Sequence, residues 1–423
     1  MAFRFIHTGD LHLDSPLRSL RASDDGRALV AADASRRAFV RLVDVAIERR
    51  VDAFLIAGDL WDGDWTDMDA GLMVAREAAR LRKAGIPVVA ILGNHDAAAA
   101  SVTAHVRRLD AIHVLAEDAP ESVDIGPAVV HGQSFESPAV TRNLVAHYPA
   151  PVAGRVNVGL LHTGLDGKRG HSGYAPCSVG ELAARGYDYF ALAHVHTREV
   201  LLEGPASAGG TAAFCGVLQG RHVREVGQKG AYLVTIPEAG APAQMAPIDL
   251  PFVAWQRVEV DVSADEVPVA MAAALERAAS GLPAALELAV TRVALVGETA
   301  RHAALSSAAQ SLREAALVAV ANADPRFLLE EVRVETRAPT LAAPLPRLGQ
   351  HFEGDLSAAA AADAVRAEAA ESVRDILAAL PNDVRRALLS ARPDVEAFAQ
   401  SGEVADLLGV AALGLGAQLR EED

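Results

Sequence analysis

Five times before residue 200, an apolar run of strand length gives way to a side chain that can bind a cation. The run 3–8 is followed by Asp10-Leu11-His12, 53–57 by Gly58-Asp59, and 87–92 by Gly93-Asn94-His95-Asp96. The run 157–162 closes on His162, and 188–193 leads into His194-Val195-His196. Between them lie segments of helical period: in 35–50, Phe39, Leu42, Val43, Ala46 and Ile47 form one face while Arg36, Arg37, Arg41 and Glu48 form the other. A second helix is expected over 69–83. Strands that alternate with helices predict a layered α/β sandwich. In such a sheet, the residue just past a strand projects into the crevice where ligands bind.

Further strands are expected at 128–131, 212–215 and 231–236, and a helix starting at Ser178 with Glu181 completing a capping box. Residues 238–251 are rich in Pro, Ala and Gly and predict a boundary. Beyond it a β-α-β-α-β pattern is expected: strands 255–262, 285–296 and 328–336, and helices 263–279 (Ser263 and Glu266 as capping box) and 301–321. A second linker, 338–354, precedes an alanine-rich helical region. There Val365, Ala369, Val373, Ile376, Leu377 and Leu380 form one apolar stripe, and Val404, Leu407, Leu408, Leu415 and Leu419 another. The expected division is a catalytic domain at 1–245, a small α/β domain at 252–340 and a helical region at 355–423.

Together the five strand ends offer two aspartates, one asparagine and four histidines as ligands, with His95 left over. Imidazole, carboxylate and amide oxygen without thiolate suit borderline-hard divalent ions. Seven ligands crowd one ion but serve two that share a carboxylate, an arrangement that clamps a phosphoryl group and activates water. Phosphate-ester hydrolysis is the chemistry implied.

Asp10-x-His12, Gly58-Asp59, Gly93-Asn94-His95-Asp96, His162 and His194-x-His196 resemble the five signatures of the calcineurin-like metallophosphoesterases. GDLWD (58–62), LHTGLDG (161–167), YAPCS (174–178), YDYFALAHVH (187–196) and QGRHVRE (219–225) further resemble the bacterial DNA repair exonucleases of the YhaO and SbcD type, relatives of the double-strand-break repair nuclease. The resemblance covers residues 3–236 well and the tail hardly at all. It implies a layered α/β/α sandwich with a small α/β cap, and two divalent ions, manganese ahead of magnesium or zinc. Asp10, His12 and His196 would hold the first ion, and Asn94, His162 and His194 the second, with Asp59 bridging. His95 would contact the phosphate and protonate the leaving oxygen, with Asp96 fixing its tautomer. One residue departs from the pattern: the family's glycine before H-x-H is Ala193 here, adding a methyl group close to the site.

Other residues leave two readings open. His131 is a packed histidine or a substrate contact. Arg221, His222 and Arg224, with Lys168 and Arg169, form a basic lip or solvated turns. Trp61 and Trp65 pack or stack on bases. Cys177 reads as a buried small residue and His7 as core-lining.

The implied function is a metal-dependent DNA exonuclease and phosphodiesterase acting in DNA repair, with DNA and an SMC-like (SbcC-like) ATPase subunit as partners and a homodimer also compatible. A small-substrate phosphodiesterase or phosphatase on the same metal site is the alternative, followed by an inactive scaffold subunit, which the intact ligand set disfavours. The net charge of −16 excludes a surface that coats nucleic acid or anionic membrane throughout, though not a local basic groove. With two cysteines, no apolar run of the ~20 residues a membrane span needs and no secretory signal, a cytoplasmic protein is expected.

Overall fold

The computed structural model describes residues 2–20, 26–62, 69–99, 106, 108–166, 174–264, 266–338 and 363–379, with isolated positions beyond these as far as 404. In chain order the first part comprises β1 (Phe3–Thr8), α1 (Arg27–Arg49), β2 (Ala53–Ile56), α2 (Asp69–Lys83), β3 (Val88–Ala90), α3 (Asn94–Ala98) and β4 (Ile112–Val114). There follow β5 (Glu121–Ile125), β6 (Ala128–Gly132), β7 (Val156–His162), α4 (Val179–Ala184) and β8 (Tyr189–Ala193). The strands β9 (Glu199–Leu202), β10 (Thr211–Phe214), β11 (Gly230–Ile236) and β12 (Gln244–Asp249) complete two six-stranded sheets.

One sheet has the order β12-β11-β1-β2-β3-β4, the other β5-β6-β7-β8-β10-β9. They face each other across a dry core in which Phe5, Leu55, Val89 and Ile91 meet Val158, Leu160, Tyr189 and Ala191. Burying each larger side chain is worth roughly 1.5–3 kcal/mol. The helices α1 and α2 cover the first sheet with Phe39, Leu42, Val43, Val74 and Leu81. Leu182 of α4, with Leu144 and Tyr148, covers Phe190 and Phe214 of the second. The layered α/β sandwich expected from the sequence is present, with two sheets at its centre. His7 stands between the sheets, accepting from the Tyr189 hydroxyl at 2.9 Å and donating to the Leu192 carbonyl at 3.2 Å. Burial pushes its pKa down to about 3, so it is a neutral core residue.

The strands β1 to β4 run parallel in one sheet, and β6, β7, β8 and β10 in the other. The expected linker 238–251 instead contains β12, which pairs antiparallel with β11 from Gly230↔Asp249 to Thr235↔Gln244. Pro247 is tolerated there because β12 is an edge strand.

Residues 253–334 form the third, three-stranded parallel sheet: β13 (Val253–Asp261), α5 (Val267–Ser280), β14 (Leu288–Val296), α6 (His302–Ser307), α7 (Ala309–Ala323) and β15 (Phe327–Val334). The Ser263–Glu266 capping box does not form. Ser263 turns back to Asp261, and the helix starts later, with a proline in its first turn. Trp255, Leu288 and Leu328 share an apolar cluster with Leu20, Ala31 and Ala34, so this layer packs on α1 within one compact unit, Met1–Ala338.

The second unit is Pro339–Asp423. Its helix α8 (Asp363–Ala379) buries Ala370 and Leu377 against Phe398 and Val404, with Val373 and Leu388 alongside. The side chains of Val365 and Ile376, and Leu380, Leu407, Leu408, Leu415 and Leu419, lie outside the described residues. No helix among the described residues is long and apolar enough to cross a membrane.

The extra methyl of Ala193 is accommodated by an absence across the core. A Cβ at Gly9, just past β1, would lie 2.6 Å from the Ala193 Cβ. Gly9→Ala is therefore expected to destabilise the protein by roughly 1–3 kcal/mol through overpacking. Gly9→Ala with Ala193→Gly should recover most of that loss in urea unfolding. Strictly additive effects of the two changes would show that these positions do not share one space.

Candidate metal centre

Backbone geometry aims the candidate ligands. Asp10 (φ 46°), His12 (φ 42°), Asp59 (φ 53°) and His194 (φ 100°) all adopt positive φ, a conformation that costs such residues about 1–3 kcal/mol each. The surrounding structure enforces it. The Asp10 amide donates to the Gly58 carbonyl at 2.9 Å and the His12 amide to that of Asp59 at 3.1 Å, so the two loops continue the pairing of β1 with β2. The Asp10 carboxylate accepts the His194 amide at 2.9 and 3.1 Å, tying the first sheet to the second. Two glycines make room: a Cβ at Gly93 would stand 2.2 Å from Asp59 Oδ1, and one at Gly58 2.7 Å from His162 Nδ1.

Among the described residues, three groups of side chains could each offer an ion ligand atoms within 4.8 Å of one another: Asp10, His12 and His196; Asp59, His162 and His194; and His12, Asp62 and His95. The first two meet at Asp59. Its Oδ1 is held by the His95 amide at 3.0 Å, while Oδ2 lies 3.8 Å from His12 Nε2 and 3.4 Å from His162 Nε2. Asn94 Oδ1 is 3.1 Å from both His162 Nε2 and His194 Nδ1. In the third group Asp62 already accepts the Arg221 guanidinium at 3.0 Å, which occupies the place of a further cation.

The donor atoms fit divalent ions. His162 Nδ1 donates to the Ala57 carbonyl at 3.0 Å, which turns Nε2 toward the oxygens of Asn94 and Asp59. His196 Nδ1 donates to Glu225 Oε1 at 2.6 Å, which turns its Nε2 toward His12 Nε2, 3.2 Å away. His12 Nδ1 is buried without a hydrogen-bond partner among the described residues. Lone pairs brought this close repel unless a proton or a metal ion lies among them. At His162, burial lowers the pKa, but Asp59 overrides it and lifts it to about 9, which favours a proton between His162 and its neighbouring oxygens. Burial likewise raises Asp59, yet His162, His12 and His95 outweigh this and hold its carboxyl well below the usual range. No thiol joins either group; Cys177 is buried near Thr163 and its pKa is pushed up to about 11 by burial.

His95 lies beside the first group, its ring 4.8 Å from that of His12. The carboxylate on its Nδ1 is that of Asp62, at 2.9 Å, whereas the sequence had suggested Asp96. Asp96 instead accepts the amides of Leu60 (2.9 Å), Trp61 (3.2 Å) and Gly93 (2.9 Å), bracing the two loops against each other. The hydrogen bond to Asp62 raises the pKa of His95 against the opposing effect of burial.

Asp62 and Glu225 are the two residues that sequence reasoning passed over. Each carried a signal, closing the GDLWD and RHVRE motifs, but each acquires its partner only in three dimensions. Of the remaining candidates, Trp61 is buried and packs. His131 is held by Ser122 and Asn157 within β6 and stacks on Tyr187. Arg221 is paired with Asp62 and Glu225, while His222 and Arg224 are exposed. Trp65, Lys168 and Arg169 lie outside the described residues.

Comparison with known proteins agrees with this geometry. The family described as calcineurin-like phosphoesterase matches residues 3–198, and the middle domain of metallophosphoesterase YhaO matches 255–337. The uncharacterized metallophosphoesterase YhaO of Bacillus subtilis is 31% identical over 265 residues, 61% of this chain and 63% of that protein. The DNA double-strand break repair protein Mre11 of Sulfurisphaera tokodaii is 28% identical over 204 residues, 47% of this chain and 50% of that protein. Mre11 of Saccharolobus solfataricus is 30% identical over 205 residues, 46% and 52% respectively. The match spans between half and just under two thirds of the length of these relatives. Residues 3–198, which carry the paired groups of candidate metal-binding side chains, match the calcineurin-like phosphoesterases and form a domain of that kind.

Proposed function

We propose that this metallophosphoesterase is a two-metal DNA phosphodiesterase, an exonuclease that uses manganese. The observation that carries the reading is the pair of ligand groups joined at Asp59 with His95 at their side. In this reading Asp10, His12 and His196 hold one ion, Asn94, His162 and His194 the other, and Asp59 both. When bound, the two ions would polarise a phosphodiester and supply activated water. The residues do the rest. Asp62 accepts the proton on His95 Nδ1 and so fixes which nitrogen faces the substrate. His95, 39% exposed and with a raised pKa, is suited to donate a proton from Nε2 to the departing oxygen.

DNA as substrate is supported by likeness to relatives named as DNA double-strand break repair proteins and by exposed Arg224 and His222 beside the site. We extend the proposal to the parts of the chain: residues 252–340 cap the catalytic domain and help select polymeric substrate, and 355–423 dock an SMC-like ATPase in the cytoplasm. Hydrolysis of a small phosphodiester on the same metal site remains the second reading, which the acidic net charge favours.

The two readings part in one assay, with Mn²⁺ and duplex DNA, single-stranded DNA and bis-p-nitrophenyl phosphate in parallel. DNA cleavage that chelation abolishes is the expected result; turnover of the small ester with DNA left intact would sink the nuclease reading. Asp59→Ala and His95→Ala should also fail differently. Asp59→Ala should lower bound metal, whereas His95→Ala should keep both ions and lose roughly 10²–10⁴-fold in turnover. Elemental analysis that finds His95→Ala depleted of metal would overturn its assignment as a proton donor.

A further inference from the structure

We propose that Arg221 is a positioning residue that locks Asp62 and Glu225 together, so that His95 and His196 keep their orientations as one unit. The inference rests on the functional reading above and deepens it. Arg221 Nη1 donates to Asp62 Oδ2 at 3.0 Å and Nη2 to Glu225 Oε1 at 3.2 Å, while its own amide donates to Glu225 Oε2 at 2.7 Å. These carboxylates carry the histidines: the second oxygen of Asp62, Oδ1, takes His95 Nδ1 at 2.9 Å, and Glu225 Oε1, the oxygen that Arg221 also reaches, takes His196 Nδ1 at 2.6 Å, with Arg221 Nη2 itself 3.2 Å from that nitrogen. Ser15 Oγ adds a 2.5 Å bond to Asp62, and His222 Nε2 lies 3.4 Å from Glu225. One planar fork thus spans the two carboxylates that orient the proton donor and a candidate metal ligand.

The arginine is itself anchored. The Gly220 carbonyl accepts the Trp255 indole N–H at 2.8 Å, and a Cβ at Gly220 would lie 2.8 Å from Trp255 Cδ1. Trp255 is fully buried at the foot of the third sheet, so that layer sets the position of the segment carrying Arg221 and Glu225. A lysine at 221 presents one point of charge and cannot bridge both carboxylates as a guanidinium does.

The test is calorimetric titration of metal-freed protein with Mn²⁺, with turnover of bis-p-nitrophenyl phosphate at saturating Mn²⁺ and melting curves to confirm folding. Glu225→Gln should weaken one of two Mn²⁺ equivalents about 10–100-fold, the usual effect of losing a partner behind a metal-bound histidine. Arg221→Met should weaken the same equivalent and also lower saturated turnover at least about tenfold, because His95 loses its fixed partner. Arg221→Lys should recover at most one of these losses. The proposal is overturned if folded Arg221→Met keeps both affinities and its turnover within about twofold of the parent, or if Arg221→Lys recovers both. A parent protein that binds Mn²⁺ but leaves the ester intact would defeat the functional reading while the affinities still decide the role of Arg221. A parent that binds no Mn²⁺ would overturn both.

Discussion

A carboxylate buried among imidazoles is the interaction on which the rest of this structure depends. Asp59 is 1% exposed, and removing an ionised carboxylate from water costs several kcal/mol unless charge and hydrogen bonds replace the solvent. Here His162 and His12 face one oxygen and the His95 amide holds the other. That arrangement demands space, which explains why glycine stands at both 58 and 93, where any side chain would strike His162 or Asp59 itself. It also demands that strands from two different sheets end at one place. The face-to-face packing of those sheets is therefore what the site requires of the fold.

The same demand explains the positive φ values at Asp10, His12, Asp59 and His194. Four strained residues in a free loop would relax. These are held by backbone pairing that continues past β1 and β2, and by the clasp of the His194 amide on Asp10. Strain of this kind is stored where a rigid scaffold over-determines the chain, and it keeps the donor atoms apart from alternative rotamers and partners before any ion arrives.

What the sequence revealed and what it hid divide along the range of the interactions. Strand ends followed by Asp, Asn or His are local, so all seven candidate ligands and His95 were legible, as was the Ser178–Glu181 capping box, which forms as expected. The similar Ser263–Glu266 pattern failed because Pro268 imposes its own helix start and Asp261 captures the serine. The strands β4, β5, β9 and β12 escaped notice since each is short or polar at the rim of its sheet; β5, for one, alternates exposed and half-buried residues. The resemblance implies Asp96 as the partner of His95, whereas the geometry of the turn sends that carboxylate inward to three amides and Asp62 takes the place. Asp62 and Glu225 meet through Arg221, a contact between segments 159 residues apart, and no local pattern encodes it.

Charge shows why composition alone misleads about such a site. The chain is strongly acidic, and several of its arginines are already neutralised in pairs: Arg36 with Asp14, Arg37 with Glu287, Arg41 with Glu48 and Arg80 with Asp44. Among the described residues at the candidate metal centre, the carboxylates of Asp10, Asp59, Asp62 and Glu225 outnumber the guanidinium of Arg221 that is paired with two of them. A phosphodiester would be repelled by that set. Two divalent ions would reverse its sign, so the same residues that make the chain acidic would make a loaded site attractive to an anion. On this view the net charge of a metallophosphoesterase reports what its metals must compensate.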